Sequence, residues 1–600
     1  MTGLPTRFLL ANLAALAVTL VAVYQPWVEP TGEVPAAIAR RYLPLTLVMA
    51  ALGTALVSRY LAWDRCRAFR LRHFAIYAVV PLVLFVQSRN VDPSPAVLGA
   101  LYLAAVGAWT LHALEGLWHA VANMADRTAA LVLAAIVLVP FLALLPYERA
   151  VMPTASDEPH YLVIVQSLLG GHGLDLTATY DSQIYKAYYP DVLPDRHIIQ
   201  VGDAQYPIRD LGLPLLATLP FAIAGRGGVL FLMCLVGAAL AAQLYLLCRD
   251  LRIAHRPALL GVAGASLAHP ILTYTTQIYP ELLAALAFVT AARLLRGGRA
   301  TSLARLAGAS ACLGALPWLS ARTWFIALGV GLVVAYCALR PTLRPTPLGL
   351  LARVAAGAVP FAALVLLLAY LDYRMFGLFL PNAGYYLIRD QQQVLAFTPQ
   401  VGALGLLFDK VFGLIPRTPL FLIGAIGLVP LWRMSRGAEF AALALGWVAY
   451  FVFVADIAYW WADGSPPSRY LLAGIPFLVV LLAAGIEQIA NLGRSRPLAE
   501  AAAWGLAAYS LFIAYVFAVL PNVRYDLALE VRSSGSDGQL FEFVGRVLRP
   551  DPAIFFPSLV HARPSDLALG AAWLAVVVAL GVLGARARPS FVAGSQTTTS

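Results

Sequence analysis

Sixteen stretches of this chain are apolar for about as long as a helix needs to cross a bilayer. A hydrocarbon core about 30 Å thick takes roughly 20 residues of helix. Runs of that order lie near 8–25, 43–60, 73–88, 96–113, 129–147, 229–248, 258–276, 281–296, 303–318, 323–339, 354–371, 419–434, 438–456, 470–489, 499–520 and 567–585. Composition agrees: 60% of residues are hydrophobic, 12% are charged, and mean hydropathy is +0.76. Soluble chains are about 45–50% apolar and about 25% charged. The expected fold class is therefore all-α, a polytopic membrane protein with about 16 transmembrane helices. A soluble enzyme, a disordered scaffold and a nucleic-acid binder are excluded, despite a net charge of +11.

A seventeenth run, 211–225 (LGLPLLATLPFAIAG), is too short and too rich in proline and glycine to span. It suits an interfacial or re-entrant helix. Orientation supports this reading. With sixteen spans and the N-terminus inside, 23 Lys and Arg and 7 Asp and Glu fall inside, against 19 and 24 outside. Loop charge is then +16 inside and −5 outside, the sign that cytoplasmic retention of basic residues requires. The first run lacks a small-residue cleavage site and is read as a retained helix. None of the five cysteines falls in an outer loop, so no disulfide framework is expected there.

The expected organisation has four parts: an N-terminal four-helix extension (1–128), a central transmembrane core (129–490), C-terminal helices (491–588) and a disordered tail (589–600). The outer segments 148–228, 372–418, 457–469 and 521–566 are long enough to fold. Polar residues gather on this outer face, whereas a transporter usually places its chemistry at the midplane between repeats.

The first long outer loop opens Ser156-Asp157-Glu158-Pro159-His160-Tyr161. Ser156 can cap the helix that follows, with the two carboxylates favoured in its first turn. That accounts for the acidity but not for the neighbouring His160 and Tyr161. The motif, just outside an early helix, resembles the Asp-Glu motif of GT-C membrane glycosyltransferases. Closest in style are the lipid A aminoarabinose transferases and the protein O-mannosyltransferases. Two further segments are similar to bacterial members: Phe376-Gly377 through Tyr385-Tyr386 and on to Gly413-Leu414-Ile415-Pro416-Arg417, and Trp460-Trp461-Ala462-Asp463-Gly464 leading to Arg469-Tyr470-Leu471. The resemblance covers about residues 129–490.

The resemblance implies a GT-C-like fold and a polyprenyl-phosphate sugar as donor. It implies a hexosyl- or pentosyltransferase of a bacterial inner membrane, working at the extracytoplasmic face. Membrane lipid is a partner, the acceptor is a glycan, lipid or protein, and nucleic acid is not involved. Asp157 is then the catalytic base, with Glu158 orienting it or the acceptor. His160, Tyr161, Lys186, Glu281, Arg322, Arg469 and Tyr470 are candidates for substrate binding. Several also have a structural explanation. Glu281 follows Pro280 and can complement a helix dipole. Arg322 can snorkel, and Lys186 sits in an interfacial run of tyrosines. Arg469 leads from a Gly-Ser-Pro-Pro turn into a span, where a guanidinium can fork to phosphate oxygens.

The motifs name no cofactor, and a divalent metal stays open. HExxH and CxxC spacings, a phosphate-binding Gly-rich loop with Lys and Ser/Thr, and a Gly-x-Ser-x-Gly elbow are all absent from the sequence. Two rivals stay open: a transporter or flippase of a lipid-linked saccharide, and a polymerase or ligase using a polyprenyl-diphosphate donor.

Overall fold

The computed structural model describes residues 106–587, apart from 108–109, 112, 153, 194–195, 342–344, 388–394, 435–436, 463, 528–530, 532–535, 548–549 and 561. The runs 8–25, 43–60 and 73–88, most of 96–113, and the tail 589–600 lie outside the described residues, as does Asp463.

The longer helices are α1 (Asp126–Val151), α2 (Glu158–Leu169), α3 (Gly212–Asp250), α4 (His255–Ser266), α5 (Glu281–Leu294), α6 (Leu303–Leu319), α7 (Trp324–Leu339) and α8 (Pro347–Phe376). They continue as α9 (Pro399–Phe408), α10 (Ile423–Met434), α11 (Ala438–Asp456), α12 (Ile475–Ile489), α13 (Arg496–Val519), α14 (Gln539–Val547) and α15 (Pro564–Arg586). Among the described residues, seven helices are long and apolar enough to cross a membrane: α1, α3, α7, α8, α11, α13 and α15. The chain is a multi-pass membrane protein. Five other apolar runs form shorter helices. α5, α6 and α12 have 14, 17 and 15 residues, about 21–26 Å at 1.5 Å per residue. The run 258–276 is interrupted after α4 at His269-Pro270, and 419–434 begins as a 3-10 turn at Pro419–Leu422. Proline withholds an N–H and clashes with the preceding turn, so the first of these two runs leaves the helix early and the second enters it late.

α3 contains a break at Ala224 and Gly225, where Gly225 takes φ 56° and ψ −145°. Only glycine reaches that region without strain. The chain reverses so tightly that a Cβ at Gly228 would lie 2.0 Å from the Pro220 carbonyl oxygen. The break divides a short arm, 212–223, from a membrane-length helix. The arm buries Leu213 and Ala217 and exposes Leu215, Leu216, Leu219 and Ile223. Elsewhere, α10 packs against α12 and α15 at backbone contact. A Cβ at Gly485 would meet the Ile423 carbonyl oxygen at 2.0 Å, and one at Gly584 the Ile426 oxygen at the same distance. Small residues at such crossings let helices approach where lipid supplies no hydrophobic drive.

A two-stranded antiparallel hairpin, β1 (Ile198–Val201) and β2 (Ala204–Pro207), stands in the loop after α2. Its register pairs Ile198 with Pro207, and the Ile208 amide donates to the His197 carbonyl at 3.1 Å. His197 and Arg209 are thus brought together at its open end. The two ends of the bundle differ. At one, Arg249 pairs with Asp126, and Arg293 and Arg296 with Asp250. At the other, acidic and basic residues from five connections meet.

Candidate active site

Asp157 is the residue just before α2, but its side chain makes no capping bond to that helix. Ser156 ahead of it adopts φ 52°, which turns the Asp157 carboxylate into the protein. There one oxygen accepts from Arg209, and the other pairs with Arg469 Nη1 at 2.8 Å. Arg469 begins the short helix Arg469–Leu472. Its Nε donates to Glu281 Oε1 at 2.8 Å, and the same oxygen takes a bond from Arg322 Nη2 at 3.0 Å. The result is a continuous row, Arg209–Asp157–Arg469–Glu281–Arg322, of alternating charge. With every member ionised it carries a net +1.

Burial gives the row its strength. Asp157 and Arg469 are each 5% exposed and Glu281 is 1% exposed. Burial alone would raise the Asp157 carboxyl, but Arg209, then Arg469 and His197, outweigh it and hold it well below the usual carboxylate range. The carboxylate is therefore ionised at neutral pH. Aromatic faces complete two of the guanidinium sites: Arg469 lies 4.2 Å from the Tyr279 ring centroid and Arg322 4.2 Å from that of Tyr470. Such stacking favours the planar guanidinium over an ammonium. Two polar atoms of the row make no hydrogen bond, Arg322 Nε and Glu281 Oε2.

Glu158 does something different from its neighbour. Its Oε1 accepts from the Ile278 amide at 2.7 Å and its Oε2 from the Ala155 amide at 3.0 Å. It ties the turn before α2 to the segment leading into α5, and so fixes Asp157 relative to Glu281. Burial pushes its carboxyl above the ordinary value, against the pull of Arg226 and the two amides. His160 is buried one turn into α2. Its Nδ1 lies 2.9 Å from the Tyr180 hydroxyl, and its ring stacks on His197 with centroids 3.7 Å apart. Burial, then His197 and Arg209, push it down to about 3, so it is neutral. Tyr161 is buried, and that burial raises its hydroxyl. Lys186 is exposed on the 3-10 turn Ile184–Ala187 and enters none of these contacts.

Arg209 and Asp210, which lead into the α3 arm, belong to no motif in the sequence. Asp210 Oδ1 accepts from Asn382 Nδ2 at 2.7 Å. Its Oδ2 accepts from the Tyr385 hydroxyl at 3.1 Å and the Ala321 amide at 3.3 Å. Burial pushes Asp210 up to about 7, with Tyr385 and Arg322 opposing. Asn382 in turn accepts from Trp324 Nε1 at 2.8 Å. A second buried knot also went unread. Glu148 takes bonds from Arg524 and from Gln277 Nε2, and so joins the end of α1 to the C-terminal loop. A charged pair opening a helix at a loop's end, as Asp157-Glu158 does, was the available signal for Arg209-Asp210.

Trp324 stands at the mouth of an apolar cleft of about 490 Å³ among α6, α7 and α8. Leu313, Leu328, Gly331, Val354 and Phe361 are among its walls, and every lining residue is apolar. Of these walls, Trp324 lies two positions after Arg322 in the chain. Among the described residues, no three His, Cys, Asp or Glu side chains converge closely enough to hold a metal ion.

No family model matches the chain, and no curated protein matches it. It is similar to solved structures of the oligosaccharyltransferase of Archaeoglobus fulgidus. The apo form matches at 16% identity over 71% of this chain and 60% of that one, with a TM-score of 0.38. The archaeal oligosaccharyltransferase AglB from the same organism, in complex with an inhibitory peptide and a dolichol-phosphate, matches with the same values. A form tethered to an acceptor peptide containing the NVT sequon matches at 15% identity and a TM-score of 0.37. The match spans about 60% of the length of those chains.

Proposed function

We propose that this protein is a GT-C-type membrane glycosyltransferase that moves a sugar from a polyprenyl-phosphate donor to an acceptor hydroxyl. The observation that carries this reading is the alternating row, whose last guanidinium, Arg322, is two positions in the chain from Trp324, a residue lining the apolar cleft. An isoprenoid chain suits the cleft, and its phosphate then lies at Arg322, whose Nε makes no hydrogen bond. The net +1 of the row complements the single negative charge of a sugar phosphodiester. A diphosphate carries more charge than the row offsets, which favours the monophosphate donor over the polymerase reading.

The acceptor oxygen attacks the anomeric carbon as the carbon–oxygen bond to phosphate breaks, and that electron pair leaves with the phosphate. Attack opposite the leaving group inverts the anomeric centre. Asp157 receives the hydroxyl proton, and the guanidinium groups stabilise charge gathering on the phosphate. A carboxylate gripped by two guanidinium groups is a weak base. A donor phosphate that draws Arg469 and Arg322 toward itself loosens that grip, so Asp157 gains basicity only when donor is bound. Glu158, His160, Tyr161 and Tyr470 shape the site, and Lys186 meets the acceptor on the exposed loop.

The full topology we propose has sixteen spans with both termini inside and the site at the extracytoplasmic face of a bacterial inner membrane. The basic end formed by Arg249, Arg293 and Arg296 is then cytoplasmic, in keeping with the retention of basic residues inside. Purified protein in lipid nanodiscs, given a labelled prenyl-phosphate sugar and candidate acceptors, tests the activity. Transfer of label to an acceptor supports the reading. Displacement of donor across vesicles without bond formation indicates a flippase, and chain growth from a diphosphate donor indicates a polymerase.

A further inference from the structure

His197 is not among the residues that the sequence singles out for chemistry, yet it stands against the centre of the row. It immediately precedes β1, and the hairpin register sets it beside Arg209. Its Nδ1 faces two N–H groups of that guanidinium, Nε at 3.2 Å and Nη2 at 3.0 Å. The same nitrogen is 3.8 Å from Asp157 Oδ1. An Arg has donors only, so Nδ1 must be the acceptor in this arrangement and the imidazole must be neutral at that position. On its other side the ring lies flat on His160, 3.7 Å between centroids and 23° between planes. His160 is held in turn by Tyr180, over whose ring Arg196 sits at 5.3 Å. The stack fixes the plane of His197 and therefore the direction of its lone pair. Its side chain is 28% exposed, so solvent protons reach it.

We infer that His197 is a positioning residue: its neutral Nδ1 holds the Arg209 guanidinium against Asp157, and a proton taken up at that nitrogen displaces Arg209 from the carboxylate. The inference rests on the glycosyltransferase reading only for its kinetic consequence. Among the groups that face this residue are Arg209 from the connection after β2, Asp157 and His160 from the start of α2, and Tyr180, which bonds to the His197 backbone. Arg469 acts through Asp157. A proton on Nδ1 confronts two N–H donors and the charge of Arg209, while Asp157 at 3.8 Å offers it an alternative partner. The imidazolium and Arg209 cannot both occupy the same oxygen. Protonation thus exchanges one cation for another at Asp157 and releases Arg209 from its place. Asp157 titrates too low to govern this and His160 is already neutral; Asp210, next to Arg209 and pushed up to about 7, is the other group that takes a proton in this range, so the acid limb is read in His197→Gln and Asp210→Asn side by side.

Turnover is then expected to fall between pH 7.5 and pH 5.5, by at most about tenfold for each pH unit below the inflection. His197→Gln supplies an amide oxygen that accepts from Arg209 and does not titrate. Whatever its absolute rate, the ratio between pH 7.5 and pH 5.5 should fall to near one. His160→Phe keeps the stacking surface and should keep the wild-type ratio. Persistence of the acid limb in His197→Gln, or its loss in His160→Phe, would overturn the assignment. A readout independent of transfer separates this from failure of the functional reading. Nitrogen NMR of histidine-labelled protein in micelles, with the His197 signal assigned by its absence in His197→Gln, should show Nδ1 unprotonated at pH 7.5 and titrating at acid pH. A proton on Nδ1 at pH 7.5 refutes the inference even if no donor is ever turned over.

Discussion

Replacing Arg469 with lysine tests whether the row works as a fork or merely as a charge. The guanidinium spans two carboxylates at once, 2.8 Å to Asp157 and 2.8 Å to Glu281, while stacking on Tyr279. A lysine ammonium is a compact charge that reaches one of these well. Arg469→Lys therefore loses one charge-assisted hydrogen bond, about 1.5–3 kcal/mol. If that bond supports the transition state, turnover falls roughly 10- to 150-fold. Folding should survive, because Asp157 keeps Arg209 and Glu281 keeps Arg322. Arg469→Ala strips both carboxylates of a buried partner together, and breaking a buried pair costs about 3–5 kcal/mol, so its melting temperature should drop sharply. Donor binding, single-turnover rate and melting temperature on both variants decide the matter. A cycle with Glu281→Gln adds a check: residues in one ion-pair network couple by about 0.5–3 kcal/mol. Full single-turnover rate in Arg469→Lys, or additivity of its effect with that of Glu281→Gln, refutes the fork.

Three other outcomes follow from the same geometry. Asp157→Asn should lower transfer by about 10²- to 10⁴-fold in a nanodisc assay, and because it leaves two buried guanidinium groups beside a neutral amide it should also melt earlier; wild-type transfer would leave Asp157 a purely structural role. Asp210 binds its proton more tightly folded than unfolded, since burial lifts it to about 7 from an ordinary 3.8; stability from this group is full below about pH 4, declines as pH climbs to about 7 and levels off above. Asp210→Asn should abolish that slope in a series of melting temperatures, and an unchanged slope places the titration elsewhere. Gly331→Leu fills open space in the cleft, where a Cβ meets only the Leu313 side chain at 4.0 Å; displacing two or three methylenes of a prenyl chain at about 0.8 kcal/mol each should weaken binding of a long-chain donor roughly tenfold or more and leave a short-chain donor unaffected. Equal loss for both donors argues against the cleft as the chain's place.

What the sequence could reveal and what it could not divide along one physical line. Apolar runs are local, and each long one in α1, α7, α8 and α11 is legible because a membrane-length helix needs nothing beyond its own residues to be satisfied. The shorter α5, α6 and α12 come from runs of similar hydropathy; α5 and α6 begin where their runs begin, and α12 alone is cut back at its start, where the separate turn Arg469–Leu472 precedes it. Asp157, Glu281, Arg322 and Arg469 could be named singly, because a charge at the end of an apolar run is conspicuous. Their relation could not, since Asp157 and Arg469 are 312 positions apart and meet only once α2, α5 and α12 are packed. The same limit explains Glu158. Beside Asp157 in sequence it looks like its partner, yet helix geometry sends adjacent side chains in different directions, and its oxygens end on the amides of Ala155 and Ile278. Arg209 and His197 are set by hairpin register, a property of two strands that neither strand carries alone. An ionised carboxylate held between guanidinium groups is thus a property of the assembled bundle: moving any one of its connections leaves a buried charge unpaired, which ties the integrity of the site to that of the fold.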